Sequence, residues 1–520
     1  MIQNNSGGED FVDPIYESIN VGKGTPRAIR IGTDNQNEID YRGIVKSPEF
    51  SRLAFLRQAG VVWLVFPSAT HTRFAHSLGT YWLGYLALTN VRINSETART
   101  DSLQLGQWLG TNNLKDEFLV SLLLHDVGHL PLSHTMEGND DLRDSLEYAS
   151  KNTGDEVNLS THEERGVTII NGVGPIYDKL VKGFKNREYS TLTGSNTIKS
   201  LLDRHKNLCK PAIAYAITGN ESHLEGCHHD NLSAIKVVKE FVSGLFDLDR
   251  MDHLARDAYF SSVKSSSSPP LAILRGLEIY PNESTEGGTT EWWLTRSAVS
   301  HAISLLFDRK MLYSVIFHNE QVIALNMMIN FALSYHLRSF ELAEERSDEA
   351  LRISVMGDDE FIHYMNNSNN ITTKSLTRLY SNRVFYNRVI RIDGTRIPNL
   401  IRPKISEMLT KLDSEYLDKY KDSYNLPFLI WKIDDVVKRR FGENLTSDWL
   451  NPSRFLVKEA NGSAHYMIDD PEFGKDFGVI KDYHDRGYVH VYVNPAYHDV
   501  NINEIGRKVL EVLGVSNDQL

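Results

Sequence analysis

Several features are scarce in this 520-residue sequence, and each scarcity removes a class of protein. Only two cysteines are present, Cys209 and Cys227, so no disulfide framework staples the fold, and we expect a reducing, cytoplasmic environment. No stretch approaches the roughly 18 apolar residues of a membrane-spanning helix, so we expect no membrane association. The first residues, MIQNNSGGEDF, lack the basic-then-apolar pattern of a secretory signal.

Basic residues are also outnumbered. The chain has 56 Lys and Arg against 68 Asp and Glu, which gives a formal net charge of -12. Strong binding to nucleic acid usually depends on a basic surface, so this charge disfavours that class of partner, although a local basic pocket for a small polyanion remains compatible with it. Hydrophobic residues make up 41% of the chain, which is enough for a large core and excludes a mostly disordered protein.

The apolar pattern predicts a mainly α-helical core over residues 41–385. Ser47 followed by Pro48 is typical of a helix start, and the apolar run at 116–125 predicts a buried helix. The Ser- and Pro-rich stretch at 261–270 is expected to be a loop or lid.

Strand patterns are confined to one hairpin and to the C-terminal part. Residues 276–294, with LEIY and TEWWL around a polar turn, predict a β-hairpin. Residues 386–520 are expected to form an α+β domain, and residues 1–40 an irregular N-terminal arm with one ordered piece at 11–16. The elements expected in the α+β domain are strands at 389–392, 477–480 and 488–493 and helices at 402–420, 429–441 and 503–513.

One histidine–aspartate pair stands at the end of the long apolar helix. His125 and Asp126 open the segment HDVGHLPLSH, and His129 follows on the same helix face as His125. A buried His–Asp pair is costly unless a metal or hydrogen bonds satisfy it, and imidazole with carboxylate suits a divalent transition metal. The pair alone is more often explained by capped, hydrogen-bonded core residues, but the whole segment is more specific.

Two other motifs carry similar chemistry. Upstream, HTRFAHSLG places Arg73 and His76 three residues apart, so both can point the same way from one helix and offer a phosphate-binding fork beside a metal ligand. Downstream, DLDRMDHLARD gathers polar side chains on one helix face, opposite an apolar stripe. These side chains are Asp249, Arg250, His253 and Asp257. Taken singly, the motifs are also explained by an Arg–His surface pair and a salt-bridged surface helix.

In this order, HTRFAHSLG, LLLHDVGHLPLSH and DLDRMDHLARD resemble the motifs of the HD-domain hydrolase superfamily, most of all its deoxynucleoside triphosphate triphosphohydrolases. The chain is most similar to the SAM- and HD-domain-containing branch, although no SAM domain is expected here, and the resemblance covers roughly residues 10–340. It implies an all-helical HD-domain core, a bound divalent metal and hydrolysis of dNTPs to deoxynucleoside and inorganic triphosphate. We expect iron or manganese, with room for magnesium beside it.

The resemblance also implies roles for individual residues. The implied metal ligands are His76, His125, Asp126 and Asp249. The implied catalytic residues are His129, His134, Glu137, His162 and Glu163; His162 and Glu137 would activate the water, and His134 would protonate the leaving 5′ oxygen. The implied substrate-binding residues are Gln58, Arg73, Arg250, His253, Asp257, Arg309, Tyr313 and Phe317. Among these, Asp257 would accept the 3′ hydroxyl and Arg309 would reach the distal phosphates.

Three functions remain open from the sequence. The first is dNTP hydrolysis, in nucleotide-pool control or in antiviral depletion of dNTPs. The second is an HD-type phosphodiesterase or nuclease, and the third is a non-catalytic nucleotide-sensing scaffold, which the intact catalytic histidines disfavour.

The expected partners are the dNTP substrate and other copies of the chain. The resemblance implies an even-numbered homo-oligomer. It also places Lys46, Ser51 and Ala54 where relatives read an activating guanine nucleotide; none of them suits guanine, so a different regulatory nucleotide, or none, is expected. The segment HLEGCHHD around Cys227 fits no standard zinc module, so we expect a polar loop there.

Overall fold

A computed structural model gives the fold of the chain. It describes residues 2–3, 9–13, 15, 28–31, 39–94, 102–152, 157–186, 196–225, 227, 232–263, 270–281, 290–420, 426–433, 454–459, 463–470, 488–497 and 501–516. This part of the chain is mainly α-helical with small sheets, as the sequence predicts. None of its helices is both long and apolar enough to cross a bilayer.

The helices in the described ranges are α1 (Tyr41–Val45), α2 (Pro48–Ser51), α3 (Arg73–Asn90), α4 (Leu105–Thr111), α5 (Lys115–Leu124), α6 (His134–Glu137), α7 (Asp140–Asn152), α8 (His162–Asn171), α9 (Gly174–Lys185), α10 (Ile198–Leu202), α11 (Lys210–Thr218), α12 (Leu232–Val242), α13 (Leu248–Ser261), α14 (Pro270–Arg275), α15 (Arg296–Leu312), α16 (Glu320–Arg338), α17 (Ala343–Ser354), α18 (Asp358–Asn366), α19 (Ile371–Ser381), α20 (Ile405–Tyr420) and α21 (Ile502–Val512). The strands are β1 (Ile2–Gln3), β2 (Glu9–Val12), β3 (Ala28–Ile31), β4 (Arg92–Ile93), β5 (Leu103–Gln104), β6 (Leu277–Tyr280), β7 (Glu291–Thr295), β8 (Asn387–Asp393), β9 (Leu429–Ile433), β10 (Phe455–Lys458), β11 (Ala464–Tyr466) and β12 (Tyr488–Val493).

Local sequence explains the two predicted helix starts in the core. The Ser47 hydroxyl accepts a hydrogen bond from the amide of Phe50, and Pro48 occupies the first turn of α2. Helix α5 has Asp116 and Glu117 in its first turn, where negative charge stabilises the helix dipole, and it is buried from Glu117 to its end. Both predictions are confirmed.

Three motif-bearing elements meet at the centre of the core. Helix α3 packs against both α5 and α13. Gly79 permits the close approach of α3 to α13, because a Cβ there would lie 2.0 Å from Asp252 Oδ1 and 2.4 Å from Arg256 Nη2. This packing brings the three sequence motifs together.

The predicted hairpin is confirmed and belongs to a larger sheet. In β6 and β7, Leu277 pairs with Leu294 and Tyr280 with Glu291. Its turn, 282–289, lies outside the described residues. Strand β7 also pairs in parallel with β10 from the C-terminal part, so the sheet has the order β11-β10-β7-β6-β4-β5.

The prediction of an irregular N-terminal arm is wrong for the described residues. Strands β1, β2 and β3 form an antiparallel sheet in which Ile2 lies opposite Asp10, and Val12 opposite Ala28. Each strand has only two to four residues, too few for a recognisable alternation in the sequence.

The C-terminal sheet confirms two predicted strands and corrects one predicted helix. Its order is β8-β12-β9, and β8 and β12 contain the strands expected at 389–392 and 488–493. The helix expected at 429–441 is wrong over 429–433, which forms β9 and pairs antiparallel with β12. The β-branched and aromatic side chains of LIWKI suit a pleated sheet.

Two helices cover this sheet. Helices α20 and α21 confirm the helices expected at 402–420 and 503–513, with a 3₁₀ turn at Arg402–Lys404 preceding α20. Apolar side chains from these helices and from β8, β9 and β12 form a separate small core. The rest of the predicted 429–441 helix and the strand expected at 477–480 lie outside the described residues.

Candidate active site

Two histidine rings face each other where α3 meets the end of α5. His76 Nε2 and His125 Nε2 are 3.2 Å apart, and both rings are buried. The second nitrogen of each ring is already engaged: His76 Nδ1 lies 2.8 Å from an Asp252 carboxylate oxygen, and His125 Nδ1 lies 2.8 Å from the carbonyl oxygen of Leu122. These acceptors hold a proton on each Nδ1, so the two Nε2 atoms face the same place, where each would offer a lone pair to a metal once its own proton is displaced.

Two carboxylates complete this group. Asp249 Oδ1 lies 2.8 Å from His76 Nε2 and 3.7 Å from His125 Nε2. Asp126 Oδ1 lies 3.4 Å from His125 Nε2, and Asp126 Oδ2 lies 3.7 Å from His76 Nε2. The structure therefore brings all four predicted metal ligands together, and we call His76, His125, Asp126 and Asp249 the HD cluster.

The donor set of the HD cluster fits a divalent transition metal. Ligand atoms of His76, His125 and Asp126 all lie within 4.8 Å of one another. Burial alone would lower the pKa of His76, but hydrogen bonds to Asp249 and Asp252 outweigh it and raise the pKa to about 10, so the group attracts positive charge strongly. Mixed imidazole and carboxylate ligands suit such an ion.

A second polar group surrounds Glu137, at the end of α6. Glu137 Oε2 lies 2.8 Å from His134 Nδ1, and Oε1 lies 2.9 Å from His162 Nδ1 and 3.0 Å from Arg165 Nη2. Burial would raise the pKa of Glu137, but the histidines lower it well below its usual range. Glu163 Oε1 lies 3.4 Å from His162 Nε2. We call His134, Glu137, His162 and Glu163 the Glu137 group.

His129 joins the two groups. Its Nε2 lies 3.1 Å from Asp126 Oδ1, and its ring stacks on His162 with the centroids 3.8 Å apart. Burial and the neighbouring Arg73 and His162 side chains lower the pKa of His129 well below its usual range, so the ring is neutral. The HD cluster and the Glu137 group thus form one continuous site.

Asp257, eight residues after Asp249 on α13, is buried between two histidines. Its Oδ1 lies 2.6 Å from His71 Nε2, and its Oδ2 lies 3.3 Å from His253 Nδ1. The His71 ring stacks on Phe260 with the centroids 4.8 Å apart. Burial would raise the pKa of Asp257, but the two histidines lower it, so the carboxylate is ionised and keeps capacity to accept a further hydrogen bond.

Gln58 is joined through its backbone to His71, the partner of Asp257. Its backbone amide donates to the carbonyl oxygen of His71 at 2.9 Å. Its side-chain Oε1 is buried and has no hydrogen-bond partner among the described residues. An orphaned buried acceptor is a suitable contact for a bound ligand.

Arg73 and Arg250 differ in their burial and in the protein groups that their guanidinium groups contact. Arg73 is buried; its Nη1 donates to Asp126 Oδ2 and its Nε to Ser133 Oγ, both at 2.7 Å. Its Nη2 has no partner within the described part of the chain, so one donor remains for a ligand. Arg250 is partly exposed and lies 3.2 Å from Asp247.

The remaining predicted residues lie at the end of α15, which packs against α13. The guanidinium of Arg309 lies 5.3 Å from the ring centroid of Tyr313, and the rings of Tyr313 and Phe317 are 5.3 Å apart. Tyr313–Phe317 forms a π-helical turn, an irregularity frequent at functional sites.

Sequence patterns missed residues that hold the ligands in place. Asp252 accepts two hydrogen bonds from Arg256 at 2.9 Å, and it also orients His76. Its position three residues after Asp249 could have revealed it. No spacing could have revealed His71 as the partner of Asp257, 186 residues away.

The segment around Cys227 does not form a metal-binding group within the described residues. His223 Nε2 contacts Glu164 at 3.3 Å, and the sulfurs of the free thiols Cys209 and Cys227 are 3.2 Å apart. Residues 228–231 lie outside the described part of the chain.

Comparison with known proteins adds relatives of partial length; no family model matches the chain. An uncharacterized protein of Methanocaldococcus jannaschii is 24% identical over 409 residues, which cover 77% of this chain and 70% of that protein. The deoxynucleoside triphosphate triphosphohydrolase SAMHD1 of Homo sapiens is 27% identical over 235 residues, covering 43% of this chain and 31% of the human protein. That of Bos taurus is 40% identical over 97 residues, covering 18% and 14%. The chain thus spans less than a third of the SAMHD1 sequences that it matches.

Solved structures share the fold over nearly the whole chain. A phosphohydrolase from Bacteroides thetaiotaomicron has a TM-score of 0.56 at 16% identity, covering 93% of this chain and 100% of that one. A hypothetical protein from Aquifex aeolicus also has a TM-score of 0.56, at 18% identity and with coverage of 97% and 100%. The chain is thus similar over part of its length to SAMHD1 triphosphohydrolases, and it shares its fold with a solved phosphohydrolase.

Proposed function

We propose that this protein is a metal-dependent phosphohydrolase that converts dNTPs to deoxynucleoside and inorganic triphosphate. The observation that carries the proposal is the junction at His129, which places a metal-type ligand set directly against an acid–base group. The partial similarity to SAMHD1, whose name states this activity, supports the substrate class. The acidic net charge is compatible with it, because a metal and local cations compensate the charge of the triphosphate.

The HD cluster would hold the metal. Once bound, that ion would supply Lewis-acid polarisation of a phosphoryl oxygen and lower the pKa of a coordinated water. Arg73 keeps Asp126 in position and retains one free donor, Nη2, for an α-phosphate oxygen.

The Glu137 group would move the protons. Glu137 holds the Nδ1 proton of His162, which leaves Nε2 to accept a proton from the attacking water, and Glu163 beside Nε2 can pass it to solvent. The other oxygen of Glu137 holds the Nδ1 proton of His134. The His134 side chain is 70% exposed, so its Nε2 is accessible to protonate a leaving 5′ oxygen.

Asp257 would select the sugar. Its ionised carboxylate can accept the 3′ hydroxyl, and Gln58, whose backbone amide binds the His71 carbonyl, offers a further buried acceptor. Arg250 and Arg309 would bind the outer phosphates, and Tyr313 and Phe317 would lie near the nucleoside.

The decisive experiment is an assay of product identity. The purified protein is incubated with manganese or iron and each of the four dNTPs, with His125→Ala as the inactive control. We expect deoxynucleoside and intact inorganic triphosphate. Release of pyrophosphate, or cleavage of cyclic nucleotides or single strands in place of dNTPs, would favour the phosphodiesterase or nuclease alternative. Nucleotide binding without any turnover would favour the sensing scaffold.

We also propose an even-numbered homo-oligomer. The family resemblance supports it, and β8 and β9 are edge strands of the C-terminal sheet in the described part of the chain, where a second copy could dock. Light scattering with and without nucleotides tests the proposal, and a monomer under both conditions would contradict it.

A further inference from the structure

The turn that follows α5, residues 125–130, is held by two buried arginines, and we call it the HD turn. Three successive carbonyl groups, those of residues 127–129, accept hydrogen bonds from guanidinium groups. Arg52 donates to the first and third of these carbonyls, and Arg165 Nε donates to the middle one at 2.9 Å. Because the HD turn carries two metal-type ligands and His129, these arginines fix the backbone on which the site depends.

The two arginines differ in their remaining contacts. Arg52 Nη1 donates to the carbonyl groups of Ser354 and Met356 at 3.1 Å, which ties the HD turn to the end of α17. Arg165 Nη1 donates to a loop carbonyl at 2.8 Å, and its Nη2 donates to Glu137 Oε1 at 3.0 Å. The partners described for Glu137 are His129, His134, His162 and Arg165, so Arg52 is not one of them.

The HD turn also lies directly on the backbone of α8, the helix that carries Arg165. A Cβ at Gly128 would lie 2.1 Å from the carbonyl oxygen of His162 and 2.3 Å from the amide nitrogen of Gly166. No side chain fits in that space without a backbone shift. Arg165, on the same turns of α8, therefore reaches both the HD turn and Glu137 from a fixed base.

We propose that Arg165 is a positioning residue that holds the Glu137 group at a fixed position relative to the HD cluster. The inference rests on the proposed phosphohydrolase function and adds a residue to it. Arg165 and His162 donate to the same oxygen of Glu137, so Arg165 fixes where that carboxylate holds the His162 ring. All three guanidinium nitrogens donate to protein acceptors and not to the substrate. Removal of Arg165 is therefore expected to lower kcat and to leave KM nearly unchanged.

A double-mutant cycle tests this role. We compare kcat for the wild type, Arg165→Met, Glu137→Gln and the double variant, with dATP and with bis(p-nitrophenyl) phosphate as substrates. Arg165→Met is expected to lower kcat about 10- to 100-fold, the usual effect of losing a partner that orients an active-site group. In the Glu137→Gln background the same substitution should cost less than about threefold, because the contact through which it acts is already weakened.

Arg52→Met is the matched control. It removes an equally buried arginine from the same turn, but its effect should multiply with that of Glu137→Gln, since Arg52 does not hold Glu137. Arg165→Lys, which keeps the charge without the planar fork, replaces Arg165→Met if the latter does not fold. Melting temperature and metal content are measured for every variant, and metal content should stay at the wild-type level in Arg165→Met.

Two results would overturn the inference. Multiplicative effects of Arg165→Met and Glu137→Gln would show that Arg165 is merely structural, as would a loss of kcat that follows a loss of metal. Hydrolysis of the diester without triphosphate release from dATP would refute only the proposed substrate. The double-mutant cycle would then be measured with the diester, and the role of Arg165 could still be tested. If the wild type turns over neither substrate, the proposed function fails and the role of Arg165 fails with it.

Discussion

Three groups among the described residues offer histidine and carboxylate ligands within reach of one ion, and the surroundings of two of them, the HD cluster and a C-terminal group, differ most clearly. In the HD cluster, two imidazole lone pairs and two carboxylates converge on one point. In the C-terminal region, Glu459, His465 and Asp470 also converge, but Arg296 Nη2 donates to Glu459 and, at 3.1 Å, to Asp470. In the C-terminal group one guanidinium therefore contacts both carboxylates, whereas in the HD cluster Arg73 contacts Asp126, and Asp249 faces the two histidines.

This difference shows that ligand identity alone does not define a metal site. Neutral imidazoles whose Nδ1 protons are fixed leave two lone pairs that only a cation or a proton can bridge. A guanidinium on the same carboxylate that holds the histidine, as Arg296 is on Asp470, reduces that demand. The Glu137 group resembles the C-terminal group in this respect, because Arg165 supplies a cation to its central carboxylate. Proton transfer is therefore the better role for the Glu137 group.

The largest expected effect is the loss of metal from the HD cluster. His125→Ala removes one of the two facing nitrogens, so we expect the variant to bind little metal and to have no measurable turnover. Elemental analysis of the purified proteins measures this, and His465→Ala in the C-terminal group is the matched control, which should keep the wild-type metal content. Equal metal content in His125→Ala and the wild type would refute the assignment of the HD cluster.

The next largest effect is expected in the Glu137 group, without loss of metal. Glu137→Gln removes the charge that orients both His134 and His162, so turnover should fall about 100- to 10,000-fold, the usual contribution of general acid–base catalysis. Glu164→Gln is the control, because Glu164 lies on α8 with His162 but contacts His223. If Glu137→Gln lost its metal together with its turnover, the two groups would not have separate roles.

Much of this site could be predicted from the sequence because helical spacing decides which side chains share a face. Spacing placed Arg73 with His76, and Asp249 with Asp257, on helices that the structure confirms. The contact between His71 and Asp257 could not be predicted, since it depends on how α3 and α13 pack. Similarly, the sequence predicts a helix where β9 forms, because a short apolar run shows neither helical nor strand periodicity clearly. Only the pairing with β12 identifies β9 as a strand.

A smaller effect is expected on substrate choice, at a carboxylate that lies outside both groups of the active site. We expect the wild type to hydrolyse dATP in preference to ATP and to dideoxy-ATP, because a buried carboxylate left without a hydroxyl partner is unfavourable. Asp257→Asn should reduce the preference for dATP over dideoxy-ATP about 10-fold or more. Parallel assays of the three nucleotides measure it, and comparable hydrolysis of all three by the wild type would refute sugar selection by Asp257.

The smallest expected effect comes from removing the cation of the C-terminal group. Arg296→Met removes the guanidinium from Glu459 and Asp470. The carboxylates of the C-terminal group then lose a cation, and together with His465 they could bind a metal ion instead. Arg296 is partly exposed but Asp470 is buried, so the loss of stability should be about 1–3 kcal/mol. We therefore expect unchanged phosphohydrolase activity and a gain of weak zinc binding, measured by calorimetry against His465→Ala in the same background. If Arg296→Met binds no additional zinc, then the geometry of these ligands, and not the arginine, excludes a metal, and the contrast with the HD cluster rests on its facing imidazoles alone.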